Sequence, residues 1–138
     1  MMYLYEIFEK VNKQRHKADK IKVLKQNESW ALKDVIKGSM DSKIKWKLPG
    51  GTPPYNPSEA HNHPASLHRE HKNFVYFVSG QRQCETLPAY KREKIFLGML
   101  ESVHPEDAAL VINMINKETP KGITRPIIEE AFPGLLSD

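Results

Sequence analysis

The chain has 138 residues, 39% of them hydrophobic and 28% charged, which excludes wholesale disorder and allows a sizeable buried core. No apolar run approaches the ~20 residues of a membrane span. The start Met1-Met2-Tyr3-Leu4-Tyr5-Glu6 lacks the basic region of a signal peptide. The single cysteine, Cys84, cannot form an internal disulfide, so a cytoplasmic location is expected.

The net charge of +4 is unevenly placed. Residues 1–48 carry twelve Lys/Arg against six Asp/Glu, residues 49–80 balance, and residues 81–138 sum to −2. Within the basic third, Leu4, Ile7, Phe8 and Val11 recur at i, i+3, i+4 and i+7 and predict an amphipathic helix from about Tyr3 to Lys13. A second helix, from about Lys17 to Gln26, should bury Ala18, Ile21 and Leu24. Ser29 is the expected N-cap of a third, with Leu32, Val35 and Ile36 facing inward and Gly38 at its exit. Ile44, Trp46 and Leu48 then alternate with Lys43, Lys45 and Lys47, the period of an extended segment with one buried face.

From Pro49 the texture changes. Pro49, Gly50, Gly51, Pro53, Pro54 and Pro57 forbid a regular helix, and a histidine-rich stretch follows to His71. Residues 49–73 are therefore expected to form a long Pro/His-rich loop. Phe74, Val75, Phe77 and Val78 form a short apolar block, helix or strand, that ends at Ser79-Gly80. A polar loop through Cys84 leads to Leu87-Pro88. Ile95, Phe96, Met99, Leu100 and Val103 make another helical stripe. His104-Pro105-Glu106-Asp107 restarts a helix whose buried side holds Leu110, Val111, Met114 and Ile115. Thr119-Pro120-Lys121-Gly122 is a turn, Thr124 and Pro126 open a final helix, and Pro133-Gly134 stops it after Ile127, Ile128, Ala131 and Phe132. The expected fold is all-α: one compact helical domain over residues 1–138, of about six to seven helices. Its basic helical part spans 1–48, its central loop 49–73 and its second helical part 74–138.

Four of the six histidines, His61, His63, His68 and His71, lie within eleven residues, with Cys84 thirteen further on. Zinc accepts such ligands, but its usual signature pairs cysteines at short spacing, so no metal is expected and the histidines read as exposed loop residues. His61-Asn62-His63 spells the name of the HNH nucleases without their geometry, since those three residues are spread over a ββα-metal element. There is no phosphate-cradling Gly-x-x-x-x-Gly-Lys-Ser/Thr and no Gly-x-Gly-x-x-Gly. Glu106-Asp107 and Glu129-Glu130 are helix neighbours that point about 100° apart rather than at one centre. No catalytic residue and no cofactor is assigned.

What remains is the basic third. Lys10, Lys13, Arg15, Lys17, Lys20, Lys22 and Lys25 fall on two helices and the turn between them. Lys33 and Lys37 share a face of the third helix, and Lys43, Lys45 and Lys47 share a side of the extended segment. Lysine-dominated contacts grip a phosphate backbone without reading bases, and they release counterions. A solvated lysine-rich surface is the plain alternative. Trp30, Trp46 and Tyr55 could stack bases, but Trp30 and Trp46 fall near apolar faces and are expected in the core.

Two stretches of this chain are similar to the N-terminal DNA-binding domain of the ATP-dependent DNA ligases of T-even-type phages. One runs from Tyr5-Glu6-Ile7-Phe8 through Lys20, Leu24, Leu32, Ile36 and Ile44 to Leu48-Pro49. The other runs from Lys94 through Pro120 to Phe132-Pro133-Gly134-Leu135-Leu136. The middle, from about Pro53 to Gln83, departs from that pattern. In those ligases a similar Pro-Gly-Leu ending leads into the catalytic domain; here the sequence ends at Asp138 and contains no Lys-x-Asp-Gly, the motif that carries the adenylate. The chain also resembles a small family of T-even-like phages of marine bacteria. The resemblance implies a helical, non-catalytic accessory that holds double-stranded DNA, nicked or intact, by its backbone in the cytoplasm of an infected cell. It makes the basic residues above the contact candidates and adds Lys121 and Arg125, whose turn opens a helix toward a phosphate. A phage or host replication protein is a further partner class, and no membrane is implied. The alternative function is a protein-interaction module that inhibits or redirects a host or phage enzyme, docking through the exposed Pro-rich loop.

Overall fold

The computed structural model describes residues 2–137; Met1 and Asp138, the two ends cited above, lie outside them. Among the described residues the fold is helical. Eight α-helices follow in order: α1 (Leu4–Lys13), α2 (Lys17–Gln26), α3 (Trp30–Met40), α4 (Leu67–Glu70), α5 (Arg82–Glu85), α6 (Ala89–Ser102), α7 (Pro105–Ile115) and α8 (Arg125–Ala131). A 3-10 segment, His71–Tyr76, continues directly from α4. The buried side chains form one cluster, to which α1, α2, α3, α6, α7 and α8 each turn their apolar stripes. Helix α2 packs between α1 and α8, while α7 packs against α3, α6 and α1.

The long helices stand where their periodicity placed them, and side-chain caps open two of them, α3 and α7. The Ser29 hydroxyl accepts from the Leu32 N–H at 3.1 Å, which opens α3. His104 caps α7 through its ring, with Nδ1 accepting from the Glu106 N–H at 3.0 Å, and Pro105 fills the first turn where its missing N–H costs nothing. Ala18, expected inside, is exposed; Val23 is buried in its place, because α2 is held between α1 and α8 and turns a wider face inward.

Gly38 does not close α3, which continues to Met40. A Cβ there would lie 2.6 Å from Cζ2 of Trp46 and 2.7 Å from Sδ of Met114. The glycine is a crossing point where the extended segment and α7 reach the α3 backbone. Trp46 uses that access: its indole N–H donates to the Gly38 carbonyl at 2.9 Å. The α3 C-terminus is closed by a distant residue. The Lys117 ammonium donates to the carbonyls of Gly38, Asp41 and Ile44 at 2.8, 2.8 and 2.9 Å. A cation at the negative end of a helix is favourable, and here it reaches carbonyls that the helix leaves unsatisfied.

The alternating Ile44–Leu48 segment is extended and pairs antiparallel with the end of the apolar block at Trp46 and Val78. Lys47 N–H donates to the Phe77 carbonyl and Ser79 N–H to the Lys45 carbonyl, each at 2.7 Å. The central irregular stretch is shorter than expected. It ends at Ser66, whose hydroxyl accepts from the His68 N–H, and α4 with the 3-10 segment occupies residues expected to be loop. The polar stretch through Cys84 is likewise a helical turn, α5. One-turn helices carry no periodicity, so neither α4 nor α5 was legible. Buried Arg92 of α6 secures α5 by donating through Nη2 to the carbonyls of Cys84 and Leu87, at 3.2 and 2.9 Å.

The Pro-rich stretch is a strap tied across α6 and α7. Asn116 receives the Gly51 N–H at 2.8 Å and donates back to its carbonyl at 3.1 Å. The Asn56 N–H donates to Glu101 at 2.8 Å, the Ser58 hydroxyl donates to the Val103 carbonyl, and the Ala65 N–H donates to the Ser102 carbonyl at 2.9 Å. These bonds satisfy a backbone that proline bars from regular structure.

Candidate nucleic-acid interface

Helices α1 and α2 carry their cations outward. Lys10 and Lys13 on α1, Arg15 in the connecting turn, and Lys17, Lys22 and Lys25 on α2 are exposed. Lys20 is half-buried and acts across the fold: its ammonium donates to the Gly122 carbonyl at 3.0 Å. Gly122 has φ of +82°, and a Cβ on it would lie 2.8 Å from Cα of Asn12. The turn that holds Lys121 therefore sits directly on the end of α1 and the first half of α2. Tertiary structure thus joins two basic segments that are about a hundred residues apart in sequence, Lys13-Arg15-Lys17-Lys20 and Lys121, at one corner.

Acids from the second half of the chain reach part of this set. Glu130 of α8 lies 4.0 Å from Lys17, and Glu129 accepts from Arg125 Nε at 2.9 Å. Lys33 pairs with Glu28, and Lys47 with Glu85 at 2.7 Å. The Gly80 N–H and then the Lys47 ammonium hold the Glu85 carboxyl below the ordinary carboxylate range. Lys10, Lys13, Arg15, Lys22, Lys25, Lys37, Lys43, Lys45 and Lys121 have no carboxylate within 4 Å among the described residues. By element the cations fall into two sets: one on α1, α2 and the turn between them, and a second, with Lys37, Lys43 and Lys45, on α3 and the extended segment bridged to Val78.

Trp30, expected in the core, is 73% exposed, since the first residue of α3 projects beyond the helix packing that buries Ala31 and Leu32. Lys33 Nζ lies 5.1 Å from the centre of its ring and 5.2 Å from that of Phe132. Trp46 is half-buried and meets Phe74 edge to face at 5.9 Å. Tyr55 is half-buried against the core.

The histidines disperse into separate structural roles. His61 is exposed beside Glu59 at 3.4 Å, and His68 Nε2 lies 2.8 Å from the Met2 carbonyl. His71 is buried, with Nδ1 2.6 Å from Asp34 of α3, so the 3-10 segment is locked to that helix. Among the described residues no three His, Cys, Asp or Glu side chains converge as metal ligands, and Cys84 is buried.

His63 belongs to a cluster that sequence reasoning missed, because its members come from three distant stretches. The rings of Tyr3 and Tyr5 each stand 4.7 Å from that of His104, and His63 stands 5.4 Å from both Tyr3 and His104. The Tyr3 hydroxyl and His63 Nε2 are 3.0 Å apart. Behind them Asp107, only 1% exposed, accepts the Tyr5 N–H at 2.9 Å. Burial raises its carboxyl above the ordinary aspartate value, although that hydrogen bond opposes the shift. Burial also pushes the Tyr5 phenol up, with nearby acids adding to the effect. The cluster fastens the start of the chain to the α7 N-terminus and to the end of the strap.

Fold and surface together define an all-helical protein with a basic corner built from both ends of its sequence, and with no membrane-crossing helix among the described residues. The chain belongs to the Family of unknown function (DUF6433), whose model matches residues 7–121. No curated protein matches it.

Proposed function

We propose that this protein is a non-catalytic, sequence-nonspecific DNA-binding accessory that lies along the sugar–phosphate backbone of a duplex. The observation that carries the reading is the Lys20–Gly122 bond, which brings the 121–125 turn onto the basic α1–α2 corner. Lys13, Arg15 and Lys121 beside that bond, and Lys10, Lys22 and Lys25 elsewhere on α1 and α2, have no acid partner within 4 Å among the described residues, so they keep their charge available for phosphates. The ligase-like outline of the sequence supports the same grip, on nicked or intact double-stranded DNA. Lys17 and Arg125 contribute less, since Glu130 and Glu129 already balance them.

Fluorescence anisotropy with nicked, intact and single-stranded DNA tests the proposal. About four to six phosphate contacts give a log–log salt slope near −4 to −5 on duplex DNA. Lys13→Glu, Arg15→Glu and Lys121→Glu together should abolish binding at moderate salt. Absent binding at low salt, or an affinity indifferent to salt, removes the proposal. A second reading, a protein-interaction module acting on a host or phage enzyme, draws on Trp30 and Tyr90, 73% and 69% exposed. The strap, by contrast, is engaged with α6 and α7. A nuclease-treated pull-down that retains its partner favours this second reading.

A further inference from the structure

Beside the aromatic cluster, and separate from the basic corner, lies a cleft of about 690 Å³. Its walls come from the start of the chain, the end of the strap, and the α4 and 3-10 helical turns. Tyr3, His63, Arg69, Lys72 and Asn73 face it, with Glu70 as its one carboxylate. We propose that this cleft binds a phosphomonoester, the terminal phosphate of a nucleotide or of a DNA end.

The chemistry of the walls supports that ligand class. Arg69 offers a planar fork of donors and Lys72 a point charge, the pair of cations that suits a phosphate dianion. Both are exposed, and neither has a carboxylate within 4 Å among the described residues. Glu70 is turned to Asn73, whose Nδ2 donates to it at 3.4 Å.

The Tyr3–His63 pair lines the same cleft. His63 Nδ1 lies 3.3 Å from the Glu59 carbonyl, which takes an N–H there and orients the ring. Nε2 then meets the Tyr3 hydroxyl at 3.0 Å. Tyr3 is itself fixed: its N–H donates to Glu6 at 3.0 Å, and its ring packs on Tyr5 and His104. With Nδ1–H on the Glu59 carbonyl, the Tyr3 O–H donates to Nε2, so this pair shapes the cleft while Arg69 and Lys72 supply the donors for a phosphate; only those long basic side chains must order on binding. The two halves of the cleft are brought together by the His68 Nε2 contact to the Met2 carbonyl at 2.8 Å.

The test follows the His63 ring resonances by NMR during titration with inorganic phosphate, a nucleoside monophosphate and the matching nucleoside. Oligonucleotides with a 5′-phosphate or a 5′-hydroxyl form the second arm. The phosphate-bearing probes should shift the His63 signals saturably, and the nucleoside should not. Arg69→Gln with Lys72→Gln should weaken phosphate binding by about tenfold or more. Tyr3→Phe, which keeps the ring packing but releases His63 Nε2, should weaken it by less than the Arg69/Lys72 variant does. A 5′-phosphate preference among the oligonucleotides assigns the ligand to DNA ends; its absence, with the monophosphate still bound, assigns it to nucleotides. No saturable shift, or affinity unchanged in the Arg69/Lys72 variant, overturns the proposal. Because those two side chains are exposed, that variant should fold normally, with an unaltered near-ultraviolet circular dichroism spectrum. The result is independent of the salt-dependent duplex binding at the α1–α2 corner, so either proposal can fail alone.

Discussion

Replacing Gly38 by alanine should destabilise the protein, although alanine is the better helix former. The helix-propensity gain is about 0.8–1 kcal/mol. Against it stands a new methyl carbon 2.6 Å from Cζ2 of Trp46 and 2.7 and 2.9 Å from Sδ and Cγ of Met114. Met114 can change rotamer, whereas Trp46 is pinned by its own hydrogen bond to the Gly38 carbonyl at 2.9 Å. Overpacking of this kind costs about 1–3 kcal/mol, and weakening the indole bond adds about 0.5–1.5 kcal/mol. The expected net loss is about 1–3 kcal/mol. A chain of 138 residues unfolds with an entropy that makes each kcal/mol worth about 3–4 °C in Tm, so Gly38→Ala should melt about 3–12 °C lower. Gly98, on the exposed side of α6 with nothing within 4 Å of a built Cβ, supplies the control. Gly98→Ala should gain about 0.5–1 kcal/mol. Differential scanning calorimetry on both variants decides the matter. Equal stabilisation by the two substitutions would refute the assignment of Gly38 as a packing glycine.

Lys117→Met keeps the aliphatic stem but removes the ammonium that reaches three carbonyls at the end of α3, and urea titration should register a loss of about 2–4 kcal/mol. Trp30→Ala should cost under about 1 kcal/mol because the ring is exposed, whereas Trp46→Ala, which empties a half-buried place beside Phe74, should cost about 2–4 kcal/mol by the same titration. Asp107→Asn retains an acceptor for the Tyr5 N–H and removes a carboxyl whose pKa burial raises. A carboxyl raised in the folded state holds its proton longer there than in the unfolded chain. The wild type should therefore lose stability as the pH rises from the ordinary aspartate value of 3.8 through the raised one, then level off. The Asn variant should lack that slope, and its advantage over wild type should grow across the window. Chemical denaturation at a series of pH values would show it; parallel pH profiles for the two proteins would contradict the burial of that charge.

How much of this was legible along the chain depends on the range of the interaction concerned. The six longer helices announce themselves because each buries a stripe at 3.6-residue spacing, and Ser29, Pro105 and Pro133-Gly134 mark boundaries by local hydrogen bonding and fixed φ. Helices α4 and α5 carry four residues each, too few to display a period. Gly38 looked like a helix exit because a glycine near an apolar stripe usually is one; its true neighbours, Trp46 and Met114, come from other elements. Trp30 and Ala18 were misplaced for a related reason. Periodicity names the apolar face of a helix, but the packing angle against neighbours sets how far along that face burial extends.

The sequence by itself determined the helical class, the positions of the main helices and the concentration of positive charge in the first 48 residues, because each depends on composition or on contacts within a turn or two. Only the tertiary structure decided which cations keep their charge free. Glu130 reaches back to Lys17, Glu85 to Lys47, and Gly122 to Lys20 across the fold. It also decided that Tyr3, His63 and His104 meet, since no spacing rule connects side chains separated by sixty or a hundred residues; their meeting follows from how α1, the strap and α7 share one core.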